Sequence, residues 1–304
     1  VSILIVSYNT RELTLGAIRS VYDQAREAAF EMIVVDNGST DGSAEAIEAA
    51  FPRVNLIHRP DNPGFAAGNN IAAREANGKY LLLLNPDTEV MNGAIDRLVA
   101  FAERRDDGAA WGGVCILANG EIDPGCRQME PTLTGKARSL FGRDAKRVAR
   151  LQRGEDFEGE VPVLSGAFMM VRRDVWEQLG GFDESFVMYA EEADLCRRIR
   201  DLGLPVYMTG AARIRHYSGG SQKSPGRRML QQTRGVMHYF RKHRRGPGSL
   251  AAGGLIWLHA MQRYLAGAVL GLMRRERGRE LAERFSVVAL RPWQWWRGWR
   301  GRAL

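Results

Sequence analysis

The fold is decided by the stretch Met32-Ile33-Val34-Val35-Asp36-Asn37-Gly38-Ser39-Thr40-Asp41 (residues 32–41). Its apolar half predicts a buried strand, and its polar half predicts a tight turn into a helix that Asp41 caps. Parallel sheets bind ligands at the carboxyl ends of their strands, which places Asp36 where a base or ribose would contact it. A turn with a helix cap would by itself explain the same residues.

Short apolar runs around this stretch alternate with helical patterns, as is typical of a parallel sheet covered by helices. The predicted strands are Ser2–Val6, Met32–Val35, Val54–His58, Tyr80–Leu84 and Trp111–Leu117. One predicted helix follows Thr10, and another runs from Asp41 through Ala50. The expected fold class is α/β with a mostly parallel central sheet flanked by helices.

The middle of the chain is less regular. Residues 120–160 lose periodicity and predict a loop or poorly ordered excursion, with a short helix near Leu140. Beyond them we predict a strand, Val163–Val171, and two helices that glycines end, Asp174–Leu179 and Ala190–Leu202.

Charge is unevenly distributed along the 304 residues. Residues 213–304 hold 20 Lys and Arg against 3 Asp and Glu, a formal charge of +17, whereas residues 1–212 carry −9. This asymmetry indicates an anionic partner for the C-terminal part, and the acidic body argues against nucleic acid as the main substrate. The three cysteines form no C-x-x-C pair, which argues against a disulfide framework or zinc site and fits a reducing compartment. No signal peptide is expected, because the chain opens inside a predicted strand.

Residues 221–304 predict a basic, amphipathic helical extension. A basic helix over Arg227–Arg245 precedes the apolar stretch Leu250–Met273, in which polar interruptions argue against a membrane span. Tryptophans then alternate with arginines from Trp293 to Arg300, a composition typical of the membrane–water interface. We predict association with an anionic membrane surface; packing of the aromatic residues on the body and stacking on single-stranded nucleic acid are the alternatives.

A second polar stretch, Asn85-Pro86-Asp87, follows the very hydrophobic strand Tyr80–Leu84, so Asp87 is expected in the same cleft as Asp36. Hard divalent cations commonly take one or two carboxylates together with substrate phosphates, which a single Asp at a strand end can supply. The alternative is a turn in which Asp87 caps the helix that begins near Gly93.

Three acids open the predicted helix near residue 190, namely Glu191, Glu192 and Asp194. Glu192 lies on the same helix face as the apolar residues Leu195, Ile199 and Leu202. The helix dipole explains some acids in a first turn, but three in four positions exceed what capping requires. A partly buried carboxylate here can act as a general base toward an acceptor hydroxyl.

Four ordered motifs together resemble the family-2 inverting glycosyltransferases, and within them the bacterial rhamnosyltransferase-like branch. The motifs are Ile3–Asn9, Val35–Ser43, Asn62–Asn70 and Leu84–Asp87. The resemblance implies a GT-A catalytic domain over residues 1–220, with a nucleotide-sugar-binding half (1–118) and an acceptor half (160–220). It also implies a dTDP- or UDP-linked sugar donor and Mg²⁺ or Mn²⁺.

The resemblance also implies roles for individual residues. Asp36 would bind the nucleoside, and Asp87, the last acid of the Asp-x-Asp motif, would bind metal and diphosphate. Asn85 replaces the first acid of that motif, so His216 is expected to complete the metal shell unless it is a structural histidine. The other implied donor-side residues are Ser7, Tyr8, Asn9, Asn37, Gly64, Phe65, Asn69 and Gly166.

The second acid of the family's Glu-Asp motif corresponds to Glu192, which we predict to be the catalytic base, with Asp194 and Glu191 as the other candidates. The expected reaction transfers a sugar, with L-rhamnose from dTDP-rhamnose as the best candidate, to a glycan or polyprenyl-linked acceptor in cell-surface polysaccharide synthesis. The expected location is cytoplasmic, on the inner face of the bacterial cell membrane. A Rossmann oxidoreductase is excluded because no G-x-G-x-x-G follows the first strand. A catalytically impaired binding or membrane-scaffold protein on the same fold is the alternative.

Overall fold

The computed structural model describes residues 1–123, 129–141, 157–217, 224–273 and 276–299. The chain divides into two compact units. The first comprises Val1–Glu130, Leu151–Glu184 and Glu192–Ser221, and the second comprises Pro131–Arg150, Ser185–Glu191 and Gln222–Leu304. The predicted boundary at residues 220 and 221 lies outside the described residues.

Within the described residues, a nine-stranded sheet forms the centre of the first unit. Its strands are β1 (Ser2–Ser7), β2 (Glu31–Asp36), β3 (Asn55–His58), β4 (Tyr80–Leu84), β5 (Thr88–Val90), β6 (Ala110–Ile116), β7 (Glu158–Glu160), β8 (Phe168–Arg172) and β9 (Val206–His216). The spatial order is β3-β2-β1-β4-β8-β6-β9-β5, and β7 pairs with β9. Strands β1 to β4 pair in parallel, as do β6 and β9, whereas β5, β7 and β8 run antiparallel to their neighbours. The predicted α/β class is confirmed.

Helices connect these strands and form the rest of the molecule. The described α-helices are α1 (Arg11–Gln24), α2 (Ser43–Ala50), α3 (Phe65–Arg74), α4 (Ala94–Arg104), α5 (Leu133–Leu140), α6 (Arg173–Leu179), α7 (Glu191–Asp201), α8 (Pro225–His243), α9 (Pro247–Leu272) and α10 (Glu276–Ala289). A short 3₁₀ helix follows at Pro292–Gln294.

The core of the first unit explains why its central strands could be recognised in the sequence. Every residue of β1 and β4 is buried. Strands covered on both faces are apolar throughout instead of alternating, as Tyr80–Leu84 is. Ile18 of α1, Leu98 of α4 and Trp111 of β6 pack into the same cluster. Burial of each such aliphatic side chain stabilises the fold by about 1.5–3 kcal/mol.

Three local predictions were wrong in part. The strand predicted over Val163–Val171 starts only at Phe168, because the Phe168 N–H donates to the Ser165 carbonyl (3.2 Å) in a turn. Gly42, with a left-handed φ of 76°, is the N-cap of α2 in place of Asp41. In the described part of residues 120–160, the predicted short helix near Leu140 is present as α5, and the element that was not predicted is strand β7.

The second unit contains the C-terminal helical extension that was predicted. Helices α8, α9 and α10 enclose a core that includes Met237, Ala260 and Trp295. Gly267 lets α9 approach α10 closely, since an added Cβ there would lie 2.5 Å from the backbone nitrogen of Ala282. In the described part of the chain, no helix combines the length and the apolar character that crossing a membrane requires.

Candidate active site

The carboxyl ends of β1, β2 and β4 meet at one edge of the sheet. Ser7, at the end of β1, pairs with Asp36 at the end of β2, and Asn85 directly follows β4. Because these strands are parallel, the residues that follow them lie on the same side of the sheet. The structure therefore brings Asp36 and the Asn85–Asp87 stretch to one edge, as the sequence predicts.

Three buried oxygen atoms at this edge have no hydrogen-bond partner among the described residues. They are Asp36 Oδ1, Asn37 Oδ1 and Asn85 Oδ1. The other Asp36 oxygen accepts a hydrogen bond from the Ser39 backbone N–H at 3.0 Å, and Asp36 is only 3% exposed. Unpaired buried polar atoms are uncommon and costly in folded proteins. Their clustering fits a ligand that brings hydrogen-bond donors, such as base N–H groups or sugar hydroxyls.

The loop after β1 uses most of its polar side chains to hold the structure together. The Ser7 hydroxyl is buried against those of Thr10 and Thr14. Asn9 Oδ1 accepts a hydrogen bond from the Thr40 N–H at 2.8 Å, which links this loop to the one after β2. Tyr8 is 46% exposed. Of the predicted donor residues Ser7, Tyr8 and Asn9, it is therefore Tyr8 whose side chain is available to a ligand.

The loop before α3 is hydrogen-bonded to Asn37, the residue that follows Asp36. Asn37 Nδ2 donates to the Gly64 carbonyl at 3.2 Å, and Gly64 has a φ of 90° that favours glycine. Asn69 Nδ2 donates to the Phe65 carbonyl at 2.9 Å, so its amide stabilises the first turn of α3. A Cβ added to Gly166 would lie 3.5 Å from the Phe65 ring. The structure thus places Gly166 against the predicted donor loop.

Asp87 and His216 lie together, with a third residue behind the histidine. His216 Nε2 is 3.3 Å from Asp87 Oδ1, and His216 Nδ1 is 2.8 Å from Asp123 Oδ2. Strand pairing fixes this arrangement, because Thr88 pairs with His216 and the Tyr217 N–H donates to the Asp87 carbonyl at 2.9 Å. The Nε2 atom of the imidazole ring therefore faces Asp87, and the Nδ1 atom is hydrogen-bonded to Asp123.

The two carboxylates determine the charge of His216. Burial alone would lower the pKa of its imidazole, but hydrogen bonds and charge from Asp123 and Asp87 outweigh burial and raise the pKa to about 10. The ring is thus an imidazolium at neutral pH in the protein without metal. Through its contact with Nδ1, Asp123 would orient the ring so that a deprotonated Nε2 could serve as a cation ligand.

The donor set fits a hard divalent cation, with a carboxylate and an imidazole facing each other. Among the residues that the structure describes, no group of three or more His, Cys, Asp or Glu side chains is arranged to hold a metal ion. Asp87 and His216 are a facing pair that could hold such a cation, with diphosphate oxygens and water completing the shell. The backbone N–H of Asn85 donates a hydrogen bond to the Ala167 carbonyl at 3.1 Å, which holds this part of the backbone in place.

The acids of α7 lie in different environments. Asp194 is fully buried and accepts a hydrogen bond from Arg198 Nε at 2.8 Å. Arg198 also donates to the carbonyls of Leu179 (3.0 Å) and Gly181 (2.8 Å), so Asp194 belongs to a structural network. Glu192 is 4% exposed, and its Cβ lies 3.9 Å from the position that a Cβ on Gly166 would take. Of these two acids, Glu192 therefore lies beside Gly166, which in turn faces Phe65 of the predicted donor loop.

Comparison with known proteins places this chain in a family. The family model described as glycosyl transferase family 2 matches residues 2–180. The chain belongs to glycosyl transferase family 2. An N-acetylglucosaminyl-diphospho-decaprenol L-rhamnosyltransferase from Mycobacterium tuberculosis is 30% identical over 218 residues, which cover 66% of this chain and 71% of that protein. The O-antigen biosynthesis protein RfbC from Myxococcus xanthus is 29% identical over 228 residues, covering 74% of this chain and 18% of that protein.

Solved structures confirm the GT-A fold of this glycosyltransferase. The mannosyltransferase PcManGT from Pyrobaculum calidifontis, solved with GDP-Man and Mn²⁺, superposes with a TM-score of 0.63 at 16% identity. The alignment covers 96% of this chain and 86% of that one. At this identity the likeness establishes the architecture, and the predicted family and fold are both confirmed.

Asp123, the partner of His216, is a residue of the candidate site that the sequence did not reveal. It lies 93 residues before His216 in the chain and follows the turn after β6, where its N–H donates to the Cys115 carbonyl at 2.9 Å. No spacing relates the two residues. The one available signal was that a histidine ligand usually has a partner on its second nitrogen, which predicts a partner without naming it.

Proposed function

We propose that this glycosyltransferase transfers L-rhamnose from dTDP-rhamnose, with inversion at C1, to a hydroxyl of a polyprenyl-diphosphate-linked glycan during cell-surface polysaccharide synthesis. One observation supports the proposal most strongly. The unpaired oxygens of Asp36 and Asn37 lie at the same edge of the sheet as the Asp87–His216 pair. The name of the mycobacterial relative specifies L-rhamnose and a diphospho-decaprenol acceptor, which supports this choice of sugar and acceptor class. The nucleotide, dTDP, rests on the resemblance to the rhamnosyltransferase-like branch.

The donor would bind with its nucleoside at Asp36, whose free oxygen accepts a hydrogen bond from the base or ribose. Asp87 and His216 would hold a divalent cation, which when bound supplies positive charge to the oxygens of the departing nucleoside diphosphate. Gly166 leaves room for the sugar beside Phe65, because it has no side chain to fill that space.

Glu192 would act as the general base. Its carboxylate takes the proton of the acceptor hydroxyl as the oxygen forms a bond to C1 of the donor sugar. The bond between C1 and the diphosphate oxygen breaks on the opposite side, and its electron pair leaves with the nucleoside diphosphate. Direct displacement with one base therefore inverts C1. The buried position of Glu192 keeps its carboxylate out of bulk water.

A donor panel tests this proposal. The full chain is incubated with Mn²⁺, a polyprenyl-diphosphate-linked N-acetylglucosamine acceptor and each of several nucleoside-diphosphate sugars, and nucleoside-diphosphate release is measured. Release from dTDP-rhamnose well above that from the other donors is expected. Preference for another sugar would overturn the donor assignment, and binding of every donor without turnover would favour the impaired binding protein.

We also propose that the second unit binds the anionic inner face of the cell membrane through α9. Several large apolar side chains of this 26-residue helix are exposed. They are Leu250, Trp257, Leu258, Leu265, Val269 and Leu272. Since successive helix residues are rotated by about 100°, these positions share one face, while Ala252, Ala260 and Gly267 on the opposite face are buried.

An open groove of about 600 Å³ adjoins this face, lined by Trp257, Trp293, Trp296 and Arg297 among others. The tryptophan-rich end is only partly exposed. Trp295 and Trp299 are buried in the second unit, whereas Trp293 is 72% exposed. Arg300 lies outside the described residues. An apolar stripe beside exposed tryptophan and arginine suits a helix lying flat among anionic headgroups, where a lipid-linked acceptor would be found.

A further inference from the structure

The segment that leads into α7 is part of the second unit and packs on α8. Ser185 Oγ lies 2.9 Å from His238 Nε2. The ring of Phe186, which is 1% exposed, meets the His238 ring edge to face with centroids 4.5 Å apart. The Lys242 ammonium lies 5.7 Å from the centroid of the Phe186 ring. Residues 185 and 186 are thus attached to one face of α8.

The end of this segment has an unusual backbone. Tyr189 and Ala190 have φ values of 68° and 72°, in the left-handed region that side chains other than glycine rarely adopt. Two such residues in succession persist only where the surrounding structure enforces them. They come directly before Glu191 and Glu192, so their conformation sets the direction in which α7 begins.

Gly235 of α8 lies against this backbone at very close range. A Cβ added to Gly235 would overlap the Tyr189 carbonyl oxygen and lie 2.9 Å from its carbonyl carbon. The Met188 carbonyl oxygen would be 3.2 Å away. These neighbours are backbone atoms, which cannot rotate out of the way as a flexible side chain can. Glycine at 235 therefore lets α8 lie directly against Met188–Tyr189.

We propose that α8 is a positioning element for the acids of α7. Through Gly235 and His238 it holds Ser185–Ala190, and with it the two left-handed residues Tyr189 and Ala190 that directly precede Glu191 and Glu192. Gly235 and His238 touch no reacting atom in this account; they act through the segment that they hold. Under this proposal α8 contributes to catalysis, independently of the proposed membrane binding through α9. The catalytic part of this inference rests on the proposed base function of Glu192.

The test compares Gly235→Ala with Gly16→Ala in the full chain. Gly16 lies within α1 and has no atom within 4 Å of an added Cβ, so it controls for the substitution itself. Hydrogen–deuterium exchange is measured over residues 185–195, together with binding of dTDP and Mn²⁺ and steady-state kinetics. Gly235→Ala is expected to speed exchange in that segment and lower kcat roughly 10- to 100-fold while the donor KM changes less than about twofold.

A second variant, His238→Ala, removes the contacts with Ser185 and Phe186 without adding an atom. If Gly235→Ala does not fold, the same measurements on His238→Ala test whether α8 holds the segment. Exchange over 185–195 that matches wild type in the folded variants would overturn the proposal, whatever sugar the enzyme uses. Faster exchange with unchanged kcat would also overturn it. If wild type transfers no sugar, the proposed function fails, and the exchange measurement still decides whether α8 holds the segment.

Discussion

Glu192 and Asp194 lie two residues apart in α7, yet their surroundings differ in kind. Asp194 forms an ion pair with Arg198, which anchors two backbone carbonyls. Glu192 lies beside Gly166, next to the donor loop. We therefore expect Glu192→Gln to lower kcat by about 10²–10⁴-fold with little effect on stability. Asp194→Asn, in contrast, should lower the free energy of unfolding by about 3 kcal/mol, because it breaks a buried ion pair.

Steady-state kinetics and urea denaturation of both variants would separate these roles. The assignment is reversed if Asp194→Asn abolishes transfer at wild-type stability while Glu192→Gln retains near-normal kcat.

Asp123 is expected to control metal affinity without contacting the metal. Because its carboxylate holds His216 Nδ1 at 2.8 Å, Asp123→Asn should weaken Mn²⁺ binding by roughly 10- to 100-fold. Free Mn²⁺ can be followed by electron paramagnetic resonance during titration in the presence of dTDP. Asp23→Asn, at an exposed carboxylate of α1, is the matched control. Equal Mn²⁺ affinity in Asp123→Asn and wild type would contradict the role of Asp123.

At the scale of elements, the sequence predicts strands best where burial is complete. Strands β1, β2 and β4 are continuous apolar runs because helices cover both faces of the sheet, and the acids at their ends follow from parallel pairing. Strand β5 could not be predicted, because it has only three residues and depends on pairing with the end of β9. Most of β9, which has eleven residues, also lay outside the predicted strands.

The same limit applies to side chains that meet across long separations. The sequence indicated both Asp87 and His216 through motifs and resemblance, but their contact depends on β5 and β9 pairing. The role of Gly235 could not be predicted from the sequence of the basic helix. It depends on a contact with the Tyr189 backbone, which is distant in the chain and leaves no local sequence pattern.

Helix α9 offers a test of membrane binding at this scale. Leu265→Glu places a charge in the middle of the exposed apolar face, where Leu265 is 54% exposed. Burying that charge among lipid chains is unfavourable, so flotation with vesicles rich in anionic lipid should decrease. Gln178→Glu, at an exposed position of α6, adds the same charge elsewhere and should float as wild type does. Equal flotation of Leu265→Glu and wild type would contradict the role of α9.

At the scale of the whole molecule, the proposed function assigns a different kind of recognition to each of the two compact units. The first unit contains the sheet edge with Asp36, Asp87 and His216, and the second contains the basic helices and the apolar face of α9. The formal charge of +17 over residues 213–304 suits an anionic surface, and the net acidic remainder suits a metal-assisted site for a soluble donor.

The configuration of the product tests the account most directly. The full chain is supplied with Mn²⁺, dTDP-rhamnose and a polyprenyl-diphosphate-linked N-acetylglucosamine acceptor, and the new glycosidic bond is examined by nuclear magnetic resonance. A single base at Glu192 and direct displacement predict a rhamnoside whose C1 configuration is opposite to that of the donor. A rhamnoside that retained the donor's configuration, or the absence of any rhamnoside, would contradict the account.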